Sequence, residues 1–134
     1  VVVAAKKYLN QTVFNHPNVK VFIGDALQYL KTRVGTPVDG IISDLTDNPM
    51  VQLEDSYERD YTQFFEQILS LSKKNIKPGG WIAIQAGAAV ATGKYLDTAK
   101  IVETLTAQYF TSTTRTDVFI PSFGEENCFI SARL

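Results

Sequence analysis

Short apolar runs alternate with longer stretches of helical spacing along the chain. Val2 to Leu9 sets Val2, Ala5, Tyr8 and Leu9 on one side of a helix. Asn15-His16-Pro17-Asn18 reads as a turn. Val19 to Ile23 is β-branched and reads as a short strand, stopped by Gly24-Asp25. Ala26 to Arg33 reads as a helix with Leu27 and Leu30 inward, broken by Gly35-Thr36-Pro37. Val38 to Leu45 is continuously apolar, as expected of a strand covered on both faces. Thr46 to Glu58 reads as a polar loop. Asp60 or a neighbour then caps a longer helix, with Tyr61, Phe64, Phe65, Ile68 and Leu69 at helical spacing. Lys73, Lys74 and Lys77 suit its C-terminal end, and Pro78-Gly79-Gly80 ends it. Trp81 to Ile84 is the next strand, running into Gln85-Ala86-Gly87. A helix follows over roughly Gly93 to Phe110, with Tyr95, Ala99, Val102, Leu105 and Tyr109 as its stripe. Thr113 to Ile120 and Cys128 to Leu134 form an antiparallel pair across Pro121-Ser122-Phe123-Gly124.

This order predicts an α/β fold, a mostly parallel sheet with helices on both faces. The closing antiparallel strand pair marks the Rossmann-like, class I methyltransferase-type sheet. The 134 residues suffice for one domain. A net charge of -1 with scattered Lys and Arg argues against a nucleic-acid partner and permits a cationic substrate. Cys128 is the only cysteine, so an intrachain disulfide is excluded; a reducing, cytoplasmic setting is expected. No apolar run is long enough to span a membrane. Met50 is the single methionine, so Val1 is expected not to start the gene product.

Four segments carry candidate chemistry, each at the end of a strand. Gly24-Asp25-Ala26 can accept a hydrogen bond from an adenine amino group, or Asp25 can simply cap the following helix. Asp44 and Asp47 lie where open α/β sheets hold their ligands. They can hold a metal, act as a general base, grip a cationic amine, or be solvated loop residues. The only histidine is His16, which disfavours a zinc-type site. Gln85 can orient a substrate, and Gly87 permits close backbone approach. Phe123 rims a pocket or belongs to a tight turn. Trp81 and the helix aromatics read as core.

In order and spacing these segments resemble the C-terminal part of the aminopropyltransferases, the spermidine, spermine and thermospermine synthases. The resemblance rests on Val19-Lys20-Val21-Phe22-Ile23-Gly24-Asp25-Ala26, Asp44-Leu45-Thr46-Asp47, Ser56-Tyr57-Glu58-Arg59-Asp60-Tyr61, Lys77-Pro78-Gly79-Gly80, Gln85-Ala86-Gly87 and Ile120-Pro121-Ser122-Phe123-Gly124. It covers essentially the whole chain. It implies transfer of an aminopropyl group from decarboxylated S-adenosylmethionine, a co-substrate, to a polyamine or diamine, with no metal. By the same resemblance Asp44 matches the general base, Asp47 the second acid that binds the amine, and Gln85 a substrate-side glutamine. Gly24, Asp25 and Ala26 match the stretch that meets adenine. Phe123 stands where many members carry a tyrosine, so that hydroxyl is absent here. Asn48 interrupts the usual Asp-Pro continuation, which leaves the amine open.

The resemblance also implies that two preceding strands, a Gly-rich loop and an N-terminal β-rich domain lie outside these residues. The chain is then a single partial domain, residues 1–134, inactive alone, and any homo-oligomer contacts fall in the absent N-terminal region. Without the first two strands, Val19 to Ile23 has no natural neighbour. Two other readings compete: an S-adenosylmethionine-dependent methyltransferase of the same fold, and a non-catalytic degenerate relative.

Overall fold

Burial of Ile82, Ile84 and Ala86, each at 1% exposure or less, fixes how the longest strand sits. The computed structural model describes residues 2–9, 12–45, 55–91 and 97–134, and for 55–60 the backbone alone. The elements are α1 (Val2–Tyr8), a 3₁₀ turn (Val13–Asn15), α2 (Ala26–Thr32), β1 (Val38–Ser43), α3 (Asp55–Asn75), β2 (Ile76–Ala88), α4 (Thr98–Tyr109), β3 (Thr111–Ile120) and β4 (Glu125–Arg133). The sheet order is β1-β2-β4-β3. β1 and β2 are parallel; β2 with β4, and β4 with β3, are antiparallel. The expected closing pair is thus present, with its second strand inserted beside β2.

Strand side chains alternate faces. Ile82, Ile84 and Ala86 of β2 share one face with Cys128, Ile130 and Ala132 of β4, all buried. Against them pack Phe65 and Leu69 of α3 and Ala99, Val102 and Leu105 of α4. Each buried Ile, Leu, Phe or Val among them stabilises the fold by roughly 1.5–3 kcal/mol on burial, and each alanine by less. Helix ends are tied locally. Asp97 caps α4 by accepting from Lys100 N at 3.0 Å, and Thr98 Oγ1 donates to Ala86 O at 2.8 Å. Asn75, at the end of α3, donates to Leu30 O at 3.2 Å and fastens α2 to α3.

Five expectations need correction. Val19 to Ile23 is not a strand: no described strand lies alongside to accept its hydrogen bonds, and Phe22 and Ile23 are exposed. α3 begins at Asp55, upstream of Asp60, because 55–60 hold no glycine or proline to stop it. Pro78-Gly79-Gly80 does not end that helix. Ile76 already pairs with Val38, and 77–80 loop out before Gly40 meets Trp81. α3 and α4 cover one sheet face rather than two, because the apolar stripes of both meet the same inward row of β2 and β4. Trp81 is not core; its odd position in β2 puts it on the other face, over Gly40, at 39% exposure. The expected Gly93 start of α4 and Tyr95 lie outside the described residues.

The excursion at 77–80 is tightly built. Gly79 has φ +76°, its N–H donates to Leu134 O, and Leu134 N–H donates to Gly80 O. A Cβ at Gly80 would stand 2.6 Å from the Asp39 carbonyl oxygen and 2.9 Å from that of Lys77. Backbone cannot yield as a side-chain tip can. Gly80→Ala is expected to destabilise the protein by about 1–3 kcal/mol, read from urea unfolding; an unchanged midpoint would contradict this packing.

Candidate functional site

β1 and β2 run parallel, so their carboxyl ends share one edge of the sheet. Their register closes at Ser43 opposite Ile84. Carried one step further, that register would set Asp44 level with Gln85, on strands roughly 5 Å apart. Ile82 and Ile84 are inward, so alternation turns Gln85 to the opposite face, where it is half-buried. Asp44, the first residue after Ser43, is exposed.

The β2 ladder bends just beyond Gln85. Its register with β4 shifts between Gln85 and Ala88, and Gly87 takes φ +89° there. That left-handed conformation favours glycine and re-aims the strand end. Of the two readings open to this glycine in the sequence, close backbone approach or a strand-to-loop transition, the register shift and positive φ go with the transition.

The same edge receives two further segments. β4 runs antiparallel to β2, so the β3–β4 turn projects beyond the carboxyl ends of β1 and β2. Phe123 lies in that turn, 57% exposed, with Phe123 N and Gly124 N both donating to Ile120 O at 3.0 Å. On the other flank, α2 returns along β1. Ala26 lines a cavity of about 280 Å³ together with Ser43 and Leu45 from the end of β1. Gly24 and Asp25 therefore arrive at this edge as well. Asp25 is the α2 N-cap, its Oδ1 accepting from Gln28 N at 2.6 Å. This is the plainer of the two roles open to it in the sequence.

The structure thus gathers Gly24, Asp25, Ala26, Asp44, Gln85 and Phe123 at one sheet edge. Asp47 lies outside the described residues. Sequence reading missed Glu125, Glu126 and Asn127, which open β4 at this edge. It began that strand at Cys128, so Asn127 passed as turn. Among the described residues no three potential metal-ligating His, Cys, Asp or Glu side chains converge, and no helix is long and apolar enough to cross a membrane.

A second missed feature braces the edge from the helix-covered face. Arg115 on β3 donates from Nη2 to Ala89 O at 2.6 Å, just past the Gly87 bend. Its Nε donates to both Asp117 carboxylate oxygens, at 2.9 and 3.1 Å, and Nη1 reaches Glu103 of α4 at 3.4 Å. The hydrogen bond from Arg115 holds the Asp117 carboxyl below its ordinary range. Nearby, burial pushes the Cys128 thiol up to about 11.

The sheet order and the antiparallel closing pair are those of the class I methyltransferase-type fold, of which this chain spans part. The family model of the spermine/spermidine synthase domain matches residues 1–132, and the chain belongs to that family. It is 30% identical over 125 residues to a spermidine synthase of Dictyostelium discoideum, covering 92% of this chain and 40% of the relative. It is 32% identical over 127 residues to a polyamine aminopropyltransferase of Synechococcus sp. (strain JA-2-3B'a(2-13)), covering 92% of this chain and 38% of that one. Among solved structures, a spermidine synthase in complex with the transition-state analogue AdoDATO superposes with a TM-score of 0.76 at 20% identity. That likeness in fold covers 98% of this chain and 42% of the other. The chain spans about 40% of the length of the relatives it matches.

Two outcomes follow from the brace. A depressed carboxyl contributes stability that is present above its unfolded pKa, about 3.9, and lost as pH falls through the lower folded value. The melting-temperature gap between wild type and Asp117→Asn should therefore be open at neutral pH and close as pH drops below about 4; a gap that persists at lower pH would contradict the pairing. Cys128, fully buried, should resist a thiol-specific disulfide reagent at pH 8 until the protein is unfolded.

Proposed function

We propose that the full-length protein transfers an aminopropyl group from decarboxylated S-adenosylmethionine to a polyamine or diamine. The observation that carries this reading is an exposed carboxylate, Asp44, directly after the paired residue Ser43, with Gln85 directly after its partner Ile84, at the carboxyl edge of the sheet in a member of the spermine/spermidine synthase family.

The chemistry is a displacement. The amine lone pair forms a bond to the methylene beside the sulfonium, the C–S bond breaks, and its electron pair leaves the sulfur neutral. The amine must first be unprotonated, yet such an amine resembles that of lysine, with a pKa of roughly 10. Asp44 in this role accepts the amine proton as general base. Asp47 is the second acid, holding the charged remainder of the amine. Gln85 orients the amine and Phe123 flanks it from the hairpin turn. At the α2 end, Gly24, Asp25 and Ala26 meet the adenine. Asp25 Oδ1 is engaged with Gln28 N, so Oδ2 is the oxygen left for an adenine amino group. Holding both substrates at one edge supplies much of the acceleration through proximity.

Within this reading residues 1–134 are a single partial domain, inactive alone, of a cytoplasmic and homo-oligomeric enzyme. The chain's share of its relatives' length supports the first point.

Asp44→Asn in the full-length protein should lower the rate of aminopropyl transfer by about 10²–10⁴, measured by product formation from decarboxylated S-adenosylmethionine and a diamine. Undiminished transfer would remove Asp44 from the role of base. Methyl transfer from ordinary S-adenosylmethionine, with none from the decarboxylated form, would sink the whole assignment.

A further inference from the structure

The three residues that open β4 differ in environment. Glu125 and Glu126 are exposed, whereas Asn127 is 3% exposed. Burying a carboxamide is costly unless its groups find partners. Asn127 Oδ1 has one, accepting from Gln85 Nε2 at 3.2 Å. Asn127 Nδ2 is buried with no hydrogen-bond partner among the described residues. Leucine, of similar size, would avoid that cost, so packing alone does not account for an asparagine here.

Gln85 accounts for it. A glutamine carboxamide has one end that only accepts and one that only donates, nearly identical in shape. Unrestrained, it presents either end to a ligand. The bond to Asn127 engages the nitrogen and leaves Oε1 as the end without a partner among the described residues. We infer that Asn127 is a positioning residue: it holds the Gln85 carboxamide with Oε1 toward the substrate, so that the site reads an amine through its N–H groups. An ammonium carries donors only, and an accepting oxygen suits it where an amide nitrogen would face it donor to donor. The inference rests on the aminopropyltransferase reading, which gives Gln85 an amine to face.

Asn127 acts through Gln85, and that makes the test specific. In the full-length protein, Asn127→Leu should raise KM for the amine roughly tenfold, with kcat little changed and no fall in melting temperature. Asn127→Asp keeps an acceptor for Gln85 Nε2 and should hold the amine KM within about threefold of wild type, which also covers the case that the leucine variant does not fold. In a Gln85→Leu background, Asn127→Leu should add nothing further to KM. A drop in melting temperature with an unchanged amine KM would overturn the inference in favour of a structural role. So would KM effects of equal size with and without Gln85. No aminopropyl transfer by the wild-type protein would overturn both the reading and this inference; transfer with an amine KM indifferent to Asn127 would overturn the inference alone.

Discussion

Everything at the candidate site depends on which face of β2 is buried. Ile82, Ile84 and Ala86 must leave water, and α3 and α4 present the apolar surface that receives them. A strand alternates strictly, so this burial dictates that Trp81, Ala83 and Gln85 stand on the opposite face. Hydrophobic packing therefore aims Gln85 without touching it. Parallel pairing to β1 then brings Asp44, the residue after Ser43, to the same edge, and pairing to β4 brings Asn127 within hydrogen-bonding reach. The chemistry is hung on one face by what the other face excludes.

The parts of the fold legible in the sequence are those where spacing alone carries the information. The stripe of α3, the described part of that of α4 and the closing strand pair are local patterns and are present; β1 is a strand as expected, but Ile42 at 75% exposure shows that it is not covered on both faces. Val19 to Ile23 shows the limit. Its β-branched residues favour extended backbone, but a strand is a relation between two segments, and propensity cannot supply the second. Pro78-Gly79-Gly80 misled for a related reason. The same residues that end a helix also serve an excursion within a strand, and only the partner Val38 distinguishes the two.

The site was legible to a similar depth. Gly24, Asp25, Asp44, Gln85 and Phe123 each follow a strand or strand-like segment, so their order along the chain foretells a shared edge. Asn127 was not legible, because its significance lies in burial and in a bond to a residue 42 positions away. Arg115 was hidden likewise. In sequence it is one scattered cation; in space it joins β3, α4 and the bend after β2.

The two outer strands of the sheet differ in a way that bears on solubility. β3 carries two charges at its middle, Arg115 and Asp117, paired to each other, and charge on an outer strand discourages another chain from adding to it. β1 has Gly40-Ile41-Ile42 instead, with Ile42 at 75% exposure. Among the described residues no strand pairs with its outer side, and on the partial-domain reading that side is where a preceding strand of the full-length protein would pair. Residues 1–134 made alone would leave that side bare, and the same open backbone that lets an α/β sheet grow would seed their precipitation.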